Sequence, residues 1–79
     1  MRILYFASVR EAMGVGEETI DLPADVATAG DLADLLELRS PVFADRARLR
    51  VAVDQEMASF DADIRDATEV AFFPPVTGG

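Results

Sequence analysis

The chain has 79 residues, of which 51 % are apolar, so it has room for one domain with a small hydrophobic core. Its 15 acidic residues outnumber 7 basic ones, and the net charge of −8 would repel nucleic acid. Cysteine, histidine and lysine are absent. This excludes disulfides, thiolate and imidazole metal ligands, cysteine nucleophiles and histidine-based triads, and it argues against a self-sufficient enzyme.

The N-terminal apolar run has the length of a strand and not of a targeting segment. Residues 3–9 include Ser8 and lack both a long hydrophobic region and a small-residue cleavage site. The longest apolar stretches are also far below membrane-spanning length. We therefore expect a cytoplasmic chain that interacts with neither membranes nor nucleic acid.

The first third of the chain predicts a β-hairpin. Residues 2–9 are rich in branched and aromatic side chains, with apolar residues on both faces, which is typical of a central strand. Residues 10–13 are expected to form one helical turn, and the glycines of residues 14–16 allow the chain to reverse. A second strand is expected over residues 17–22, ended by Pro23.

One main helix is predicted in the middle of the chain. Thr28 and Asp31 have nearly the spacing and residue types of a capping box, and apolar residues then recur at helical spacing to about Leu38. Ser40 followed by Pro41 matches an N-cap and a first helical position, so a second short helix is expected to run to residue 47.

The last third predicts three more strands. Residues 49–53 alternate apolar and polar side chains, residues 54–56 form a turn, and residues 57–60 return. Residues 61–68 form an acidic connection to a final strand over residues 69–73. The order β-β-α-(α)-β-β-β indicates an α+β fold, with one main helix packed on one face of a small mixed sheet.

Three charged or glycine-containing motifs resemble ligand-binding sites, but each has a simpler structural explanation. The acidic connection lacks the glycine and glutamate spacing of an EF-hand, so we expect a solvated loop and no metal. Residues 14–16 lack the further glycine and the lysine of a phosphate-binding loop, so they indicate a turn. Four of the seven arginines lie near the third strand and form either an exposed charged face or a docking patch. The acidic residues are Asp61, Asp63, Asp66 and Glu69, and the arginines are Arg39, Arg46, Arg48 and Arg50.

The C-terminal octet, residues 72–79, follows a strand directly and has no charged side chain. Successive strand residues point to opposite faces, so Phe72 and Phe73 cannot both enter one core. We expect one of them to contact a partner, Phe73 in the favoured arrangement and Phe72 if the faces are reversed. Pro74 and Pro75 then make the chain leave the sheet as an extended segment without ladder hydrogen bonds.

The tail, residues 74–79, is suited to carry a reactive chain end into the active site of another protein. Fully extended, it reaches roughly 20 Å beyond the body. Gly78 and Gly79 lack Cβ atoms, so the terminal carboxylate can pass through a channel too narrow for other residues. A frayed terminus is the simpler alternative for a Gly-Gly end considered by itself.

Several runs together carry a family resemblance. They are Ile3-Leu4-Tyr5-Phe6-Ala7, Val9-Arg10-Glu11, Val51-Ala52-Val53 and Val70-Ala71-Phe72-Phe73-Pro74-Pro75-Val76-Thr77-Gly78-Gly79. Over essentially its whole length the chain resembles the small, sulfur-carrying subunits of molybdopterin synthase, which are ubiquitin-like β-grasp proteins. Two departures affect local turns: Asp54 stands where asparagine is frequent, and residues 66–69 replace a turn that usually contains glycine.

The resemblance implies a β-grasp domain over residues 1–73 and an exposed, flexible tail over residues 74–79. It assigns the reacting carboxyl to Gly79, insertion into a partner to the rest of the tail, and partner binding to Phe73 and Phe72. The inserting residues are Pro74, Pro75, Val76, Thr77 and Gly78. No metal and no stably bound cofactor are expected.

The resemblance also implies the chemistry. An activating enzyme of the ubiquitin-activating type uses ATP to adenylate Gly79, and a sulfurtransferase supplies the sulfur that displaces AMP. The resulting thiocarboxylate enters a pocket of the large subunit and gives its sulfur to cyclic pyranopterin monophosphate, to form the molybdopterin dithiolene. A heterotetramer of two small and two large subunits is expected, in which the large subunit holds the acid, base and anion-binding residues.

Three alternatives remain at this stage. A sulfur carrier for thiazole synthesis also ends in Gly-Gly, although the Phe-Phe-Pro-Pro run before it is not typical of that relative. A ubiquitin-like protein modifier would use the same activated terminus on lysines of other proteins. A binding module with an inert tail would carry no sulfur at all.

Overall fold

The computed structural model describes residues 1–75 of the chain. The elements in chain order are β1 (Arg2–Tyr5), α1 (Ala7–Met13), β2 (Glu17–Thr19), α2 (Ala29–Glu37), two short 3₁₀ helices (Pro41–Phe43 and Arg46–Arg48), β3 (Arg50–Val53), β4 (Glu56–Ala58) and β5 (Glu69–Phe73). Within the described residues, no helix is long and apolar enough to cross a membrane.

The five strands form one mixed sheet in the order β2-β1-β5-β3-β4. The β1–β5 pair is parallel, and the β1–β2, β3–β4 and β3–β5 pairs are antiparallel. This confirms the predicted mixed sheet with a helix on one face. The last strand therefore occupies the centre of the sheet, where both of its edges are hydrogen-bonded.

The core lies between the sheet and α2, and three aromatic rings occupy it. The Phe43 ring meets Tyr5 and Phe72 edge to face, with centroid distances of 6.3 and 5.2 Å. The other large side chains that are fully buried with them are Ile3, Val9, Leu32, Leu36, Leu49, Val51, Ile64 and Val70. Each contributes about 1.5–3 kcal/mol through removal of its apolar surface from water.

The start of α2 confirms the predicted capping box. The Thr28 hydroxyl accepts a hydrogen bond from the Asp31 amide at 3.1 Å, and the Asp31 carboxylate accepts from the amides of Thr28 and Ala27 at 3.1 and 3.0 Å. The two backbone amides hold the pKa of Asp31 below its ordinary value. Ser40 caps the next segment as predicted, but the chain there forms two 3₁₀ helices instead of one helix to residue 47.

The strand predicted over residues 2–9 is wrong beyond Tyr5, because α1 begins at Ala7. Ala7 has a φ of 50°, which turns the chain sharply out of the sheet. Tyr5 and Val9 are both buried, and their spacing of four residues suits a helix as well as a strand, so alternation alone could not separate the two. Gly14, with a φ of 78°, then ends α1.

A two-residue turn joins β3 and β4. Val53 pairs with Glu56, and the intervening Asp54 and Gln55 have φ values of 49° and 70°, as a type I′ turn requires. The Asp54 carboxylate also accepts hydrogen bonds from the amides of residues 68 and 69, at 2.9 and 3.0 Å. These two hydrogen bonds attach the turn to the start of β5, where residues 66–69 contain no glycine.

Candidate functional site

The sheet face opposite α2, called the outer face below, is apolar along its middle. A row of four side chains crosses it, each in direct register with the next: Leu4, Ala71, Ala52 and Met57. The two alanines lie in the centre and the two larger side chains lie at the ends, so the row is shallow in its middle. Met57 is 67 % exposed although it is large and apolar.

A second row, called the tail-side row, lies where β5 ends. Phe73 pairs with Arg50 in the β3–β5 register. On the other side of β5, the Phe6 amide donates a hydrogen bond to the Phe72 carbonyl at 3.1 Å, which brings Phe6 beside the end of the strand. The Phe6 side chain is 49 % exposed. The apolar surface of the outer face thus continues to the point where the tail begins.

The structure assigns different environments to the two phenylalanines. Phe72 is completely buried against Phe43, whereas Phe73 is half-buried on the outer face. Partner binding by Phe72 is therefore excluded for the folded chain, because its ring is part of the core. The partner-binding prediction now rests on Phe73.

The tail starts from a fixed base. Pro74 and Pro75 are half-buried and belong to no strand or helix. The four other predicted tail residues, Val76, Thr77, Gly78 and Gly79, lie outside the described residues, so their roles stay predictions. Because β5 is paired on both sides by β1 and β3, the strand that precedes the tail has little freedom to move.

Two of the four acidic residues in and beside the acidic connection, Asp63 and Glu69, are held in ion pairs. Asp63 accepts hydrogen bonds from the Arg65 guanidinium, the shortest at 2.6 Å, and this neighbour lowers the pKa of Asp63 to about 2. Glu69 is only 7 % exposed and pairs with Arg2. In residues 1–75, no three acidic side chains come together in a way that could hold a metal ion.

The four arginines near β3 do not form one positive patch. Three of them pair with carboxylates: Arg39 with Glu18 at 2.8 Å, Arg46 with Asp34 at 2.6 Å and Arg48 with Asp45 at 3.6 Å. The Glu18 carboxylate also accepts a hydrogen bond from the Tyr5 hydroxyl at 2.9 Å. The Arg39 guanidinium lowers the pKa of Glu18, and burial raises the pKa of Tyr5. Arg50 alone of the four donates only to backbone carbonyls.

Sequence reasoning missed Phe6 and Met57 as exposed apolar side chains of the outer face. The signal for Phe6 was available, since alternation places it with Leu4 on the face opposite the buried Ile3 and Tyr5. Met57 is harder to find, because a methionine in a short strand is usually a core residue. Its exposure follows from its pairing with Ala52, which lies on the outer face.

Known proteins give a consistent picture. The ThiS family model matches residues 3–79. The chain is 40 % identical to the molybdopterin synthase sulfur carrier subunit of Escherichia coli, over 100 % of this chain and 99 % of the relative. It is 35 % identical to the human molybdopterin synthase sulfur carrier subunit, over 100 % and 93 %.

Solved structures agree with these relatives. A protein of Pyrococcus furiosus assigned as molybdopterin converting factor subunit 1 superimposes with a TM-score of 0.76, at 31 % identity over 95 % of each chain. SAMP1 from Haloferax volcanii superimposes with a TM-score of 0.74, at 29 % identity over 99 % of this chain and 97 % of that one. The names of the sequence relatives favour a sulfur carrier of molybdopterin synthase over a thiazole-synthesis carrier or a protein modifier. The family model and these relatives show that the chain belongs to the ThiS family, with the sulfur carrier subunits of molybdopterin synthase.

Proposed function

We propose that the chain carries sulfur on the carboxyl group of Gly79 and delivers it to a pterin precursor held by a molybdopterin synthase large subunit. The observation that carries this proposal is the placement of β5. The central strand of the sheet ends at Phe73 and leads directly into the Pro74-Pro75 tail, beside an exposed apolar surface. A rigid body with one reactive end suits a carrier and not a self-contained catalyst.

The chemistry requires activation, because a carboxylate is a poor electrophile. An activating enzyme would bring ATP to Gly79, whose carboxylate oxygen attacks the α-phosphorus and releases pyrophosphate. The outer sulfur of a sulfurtransferase persulfide then adds to the acyl carbon and expels AMP, and a thiol reductant cleaves the S–S bond of the resulting acyl disulfide, which leaves a thiocarboxylate. ATP is used by the activating enzyme and is not held by this chain, and we place the whole cycle in the cytoplasm.

The second half of the cycle takes place in the large subunit. The thiocarboxylate sulfur bonds to a side-chain carbon of cyclic pyranopterin monophosphate as a carbon–oxygen bond at that carbon breaks, and water then hydrolyses the acyl–sulfur bond, which leaves the sulfur on the pterin and regenerates the Gly79 carboxylate. Two loaded carriers supply the two sulfurs of one dithiolene, in keeping with an assembly of two small and two large subunits. As the family resemblance implies, the proton transfers and the binding of the phosphate fall to the large subunit.

The outer face is the surface that we assign to the large subunit. Large apolar side chains surround its two small alanines. They are Phe6 and Met57, which are exposed, and Phe73, which is half-buried. Aromatic and methionine side chains are enriched in the cores of protein interfaces. Docking here would place the root of the tail at the edge of the interface, with the tail directed into the partner.

Intact-mass analysis of the protein isolated from its own cells tests the function directly. Loaded chains should be heavier by the exchange of one oxygen for sulfur, and fragmentation should place the change on Gly79. The matched control is a chain that lacks only Gly79, which should never gain this mass. A wild-type chain that stays unmodified, and that also fails to transfer sulfur to precursor in the presence of the large subunit, would refute the proposal.

A further inference from the structure

Arg50 is held differently from most arginines of the chain. Its Nη1 donates hydrogen bonds to the carbonyl oxygens of Ala47 and Leu49, at 3.2 and 3.0 Å. Five of the six other arginines pair with a carboxylate: Arg2 with Glu69, Arg39 with Glu18, Arg46 with Asp34, Arg48 with Asp45 and Arg65 with Asp63. Within residues 1–75, Arg50 pairs with no carboxylate, and its Nε and Nη2 donate no hydrogen bond.

Arg50 lies where a partner that binds the outer face would cover it. The residue is exposed and lies directly opposite Phe73, so it closes the tail-side row next to the apolar surface. A partner that covers Phe73 would also remove water from the neighbouring guanidinium. Desolvation of a charged group is costly unless a partner atom replaces the lost hydrogen bonds. A protein that docks here is therefore expected to provide an acceptor at Arg50.

We propose that Arg50 determines the specificity of docking by binding a carboxylate of the large subunit through its free Nε–Nη2 edge. The inference rests on the proposed function and names the chemistry of one contact in that interface. The two outer nitrogens of a guanidinium match the two oxygens of a carboxylate, which gives a bidentate and directional pair. The two carbonyl contacts already restrain the side chain, so less conformational entropy is lost on binding.

The same contact would set the orientation of the tail. Phe73 is the last residue of β5, and the tail begins at the next residue. An apolar anchor permits some sliding and rotation, whereas a bidentate pair beside it restricts both. The carboxylate at Arg50 would thus fix the direction in which the tail enters the large subunit. The chain has a net charge of −8, so any basic surface attracts it. A carboxylate placed opposite Arg50 therefore distinguishes the correct partner from other basic proteins.

The test is the affinity of the full chain for the large subunit, measured by calorimetry. Arg50→Ala should weaken binding by roughly tenfold, and Arg50→Glu should weaken it further because it places like charges together. Arg50→Lys should fall between wild type and alanine, because it keeps the charge but loses the fork. The matched control is Arg48→Glu, two residues away, whose side chain is 86 % exposed and paired with Asp45. It makes the same change in net charge and should stay within about twofold of wild type.

A charge-swap experiment identifies the partner group. Acidic residues of the large subunit are changed one at a time to arginine, and one of them should restore the binding of Arg50→Glu while weakening that of wild type. Thermal midpoints of all variants should match wild type, since Arg50 is exposed.

Three results would overturn the inference: Arg50→Glu binding as wild type does, Arg48→Glu losing as much affinity as Arg50→Glu, or no acidic position giving rescue. A wild-type chain that neither binds the large subunit nor transfers sulfur would instead overturn the proposed function. Normal wild-type binding and transfer, with unaffected Arg50 variants, refutes only the role of Arg50.

Discussion

Truncation of either of two adjacent phenylalanines should give opposite phenotypes, although the chemical change is the same. Phe72 has no exposed surface and meets Phe43 at 5.2 Å, so Phe72→Ala removes a ring from the centre of the core. Such a change costs about 3–5 kcal/mol of the free energy of unfolding. In a chain of this size each kcal/mol lowers the thermal midpoint by about 4–8 °C, so a fall of at least roughly 12 °C is expected.

Phe73→Ala should instead spare the fold and impair docking. Its ring is half-buried on the outer face, so the free energy of unfolding should fall by only about 1 kcal/mol. An aromatic anchor in an interface costs about 2 kcal/mol or more when truncated, which corresponds to roughly thirtyfold weaker binding. Circular dichroism melting gives the first quantity and calorimetric titration with the large subunit gives the second. Unchanged affinity in Phe73→Ala, or a stability loss equal to that of Phe72→Ala, would refute the assignment of the two faces.

Further predictions concern the tail and the cap of α2. Deletion of Gly79, or addition of one residue after it, should abolish sulfur transfer while the thermal midpoint stays at the wild-type value, which a transfer assay and a melting curve together check. Gly78→Ala should slow both adenylation and sulfur transfer, measured in separate single-turnover assays, because each partner must admit the added methyl group. Its affinity for the large subunit should be unchanged. Wild-type rates in both assays would exclude a narrow channel. Asp31→Asn should destabilise the chain at neutral pH, because the carboxylate accepts two backbone amides. The pKa of Asp31 is lowered in the folded state, so this stabilisation is present above its ordinary value of 3.8 and is lost as pH falls through the folded pKa. Denaturant titrations across acidic pH should therefore show the two proteins converging, and a constant difference would contradict the capping role.

The sequence predicted those parts of the fold in which local signals and tertiary packing agree. Thr28 and Asp31 cap a helix with an apolar stripe, and both features lead to the helix that forms. The final strand, residues 69–73, is also correct, because two prolines end it. The beginning of α1 could not be predicted, since it depends on Ala7 adopting a positive φ that alanine seldom adopts by itself.

The candidate site was predictable to a similar degree. Alternation showed that Phe72 and Phe73 must face opposite ways, but it could not say which ring enters the core. The parallel pairing with β1 decides this, because Tyr5 and Phe72 are directly opposite and both point inward. Arg50 could not be separated from its neighbours by sequence, since Arg46 and Arg48 have the same charge. Only the folded chain places their guanidiniums on carboxylates and leaves that of Arg50 on backbone carbonyls.

The topology of the sheet also bears on how an activated carrier avoids reacting with itself. An acyl adenylate is attacked by amines, and this chain has no lysine, so none of its side chains carries an aliphatic amine. β1 and β5 are parallel, so Met1 lies at the start of the pair and the tail leaves from its end. The length of the sheet therefore separates Met1 from the root of the tail. A carrier whose end must survive activation long enough to meet a sulfur donor benefits from both features, the first set by composition and the second by fold.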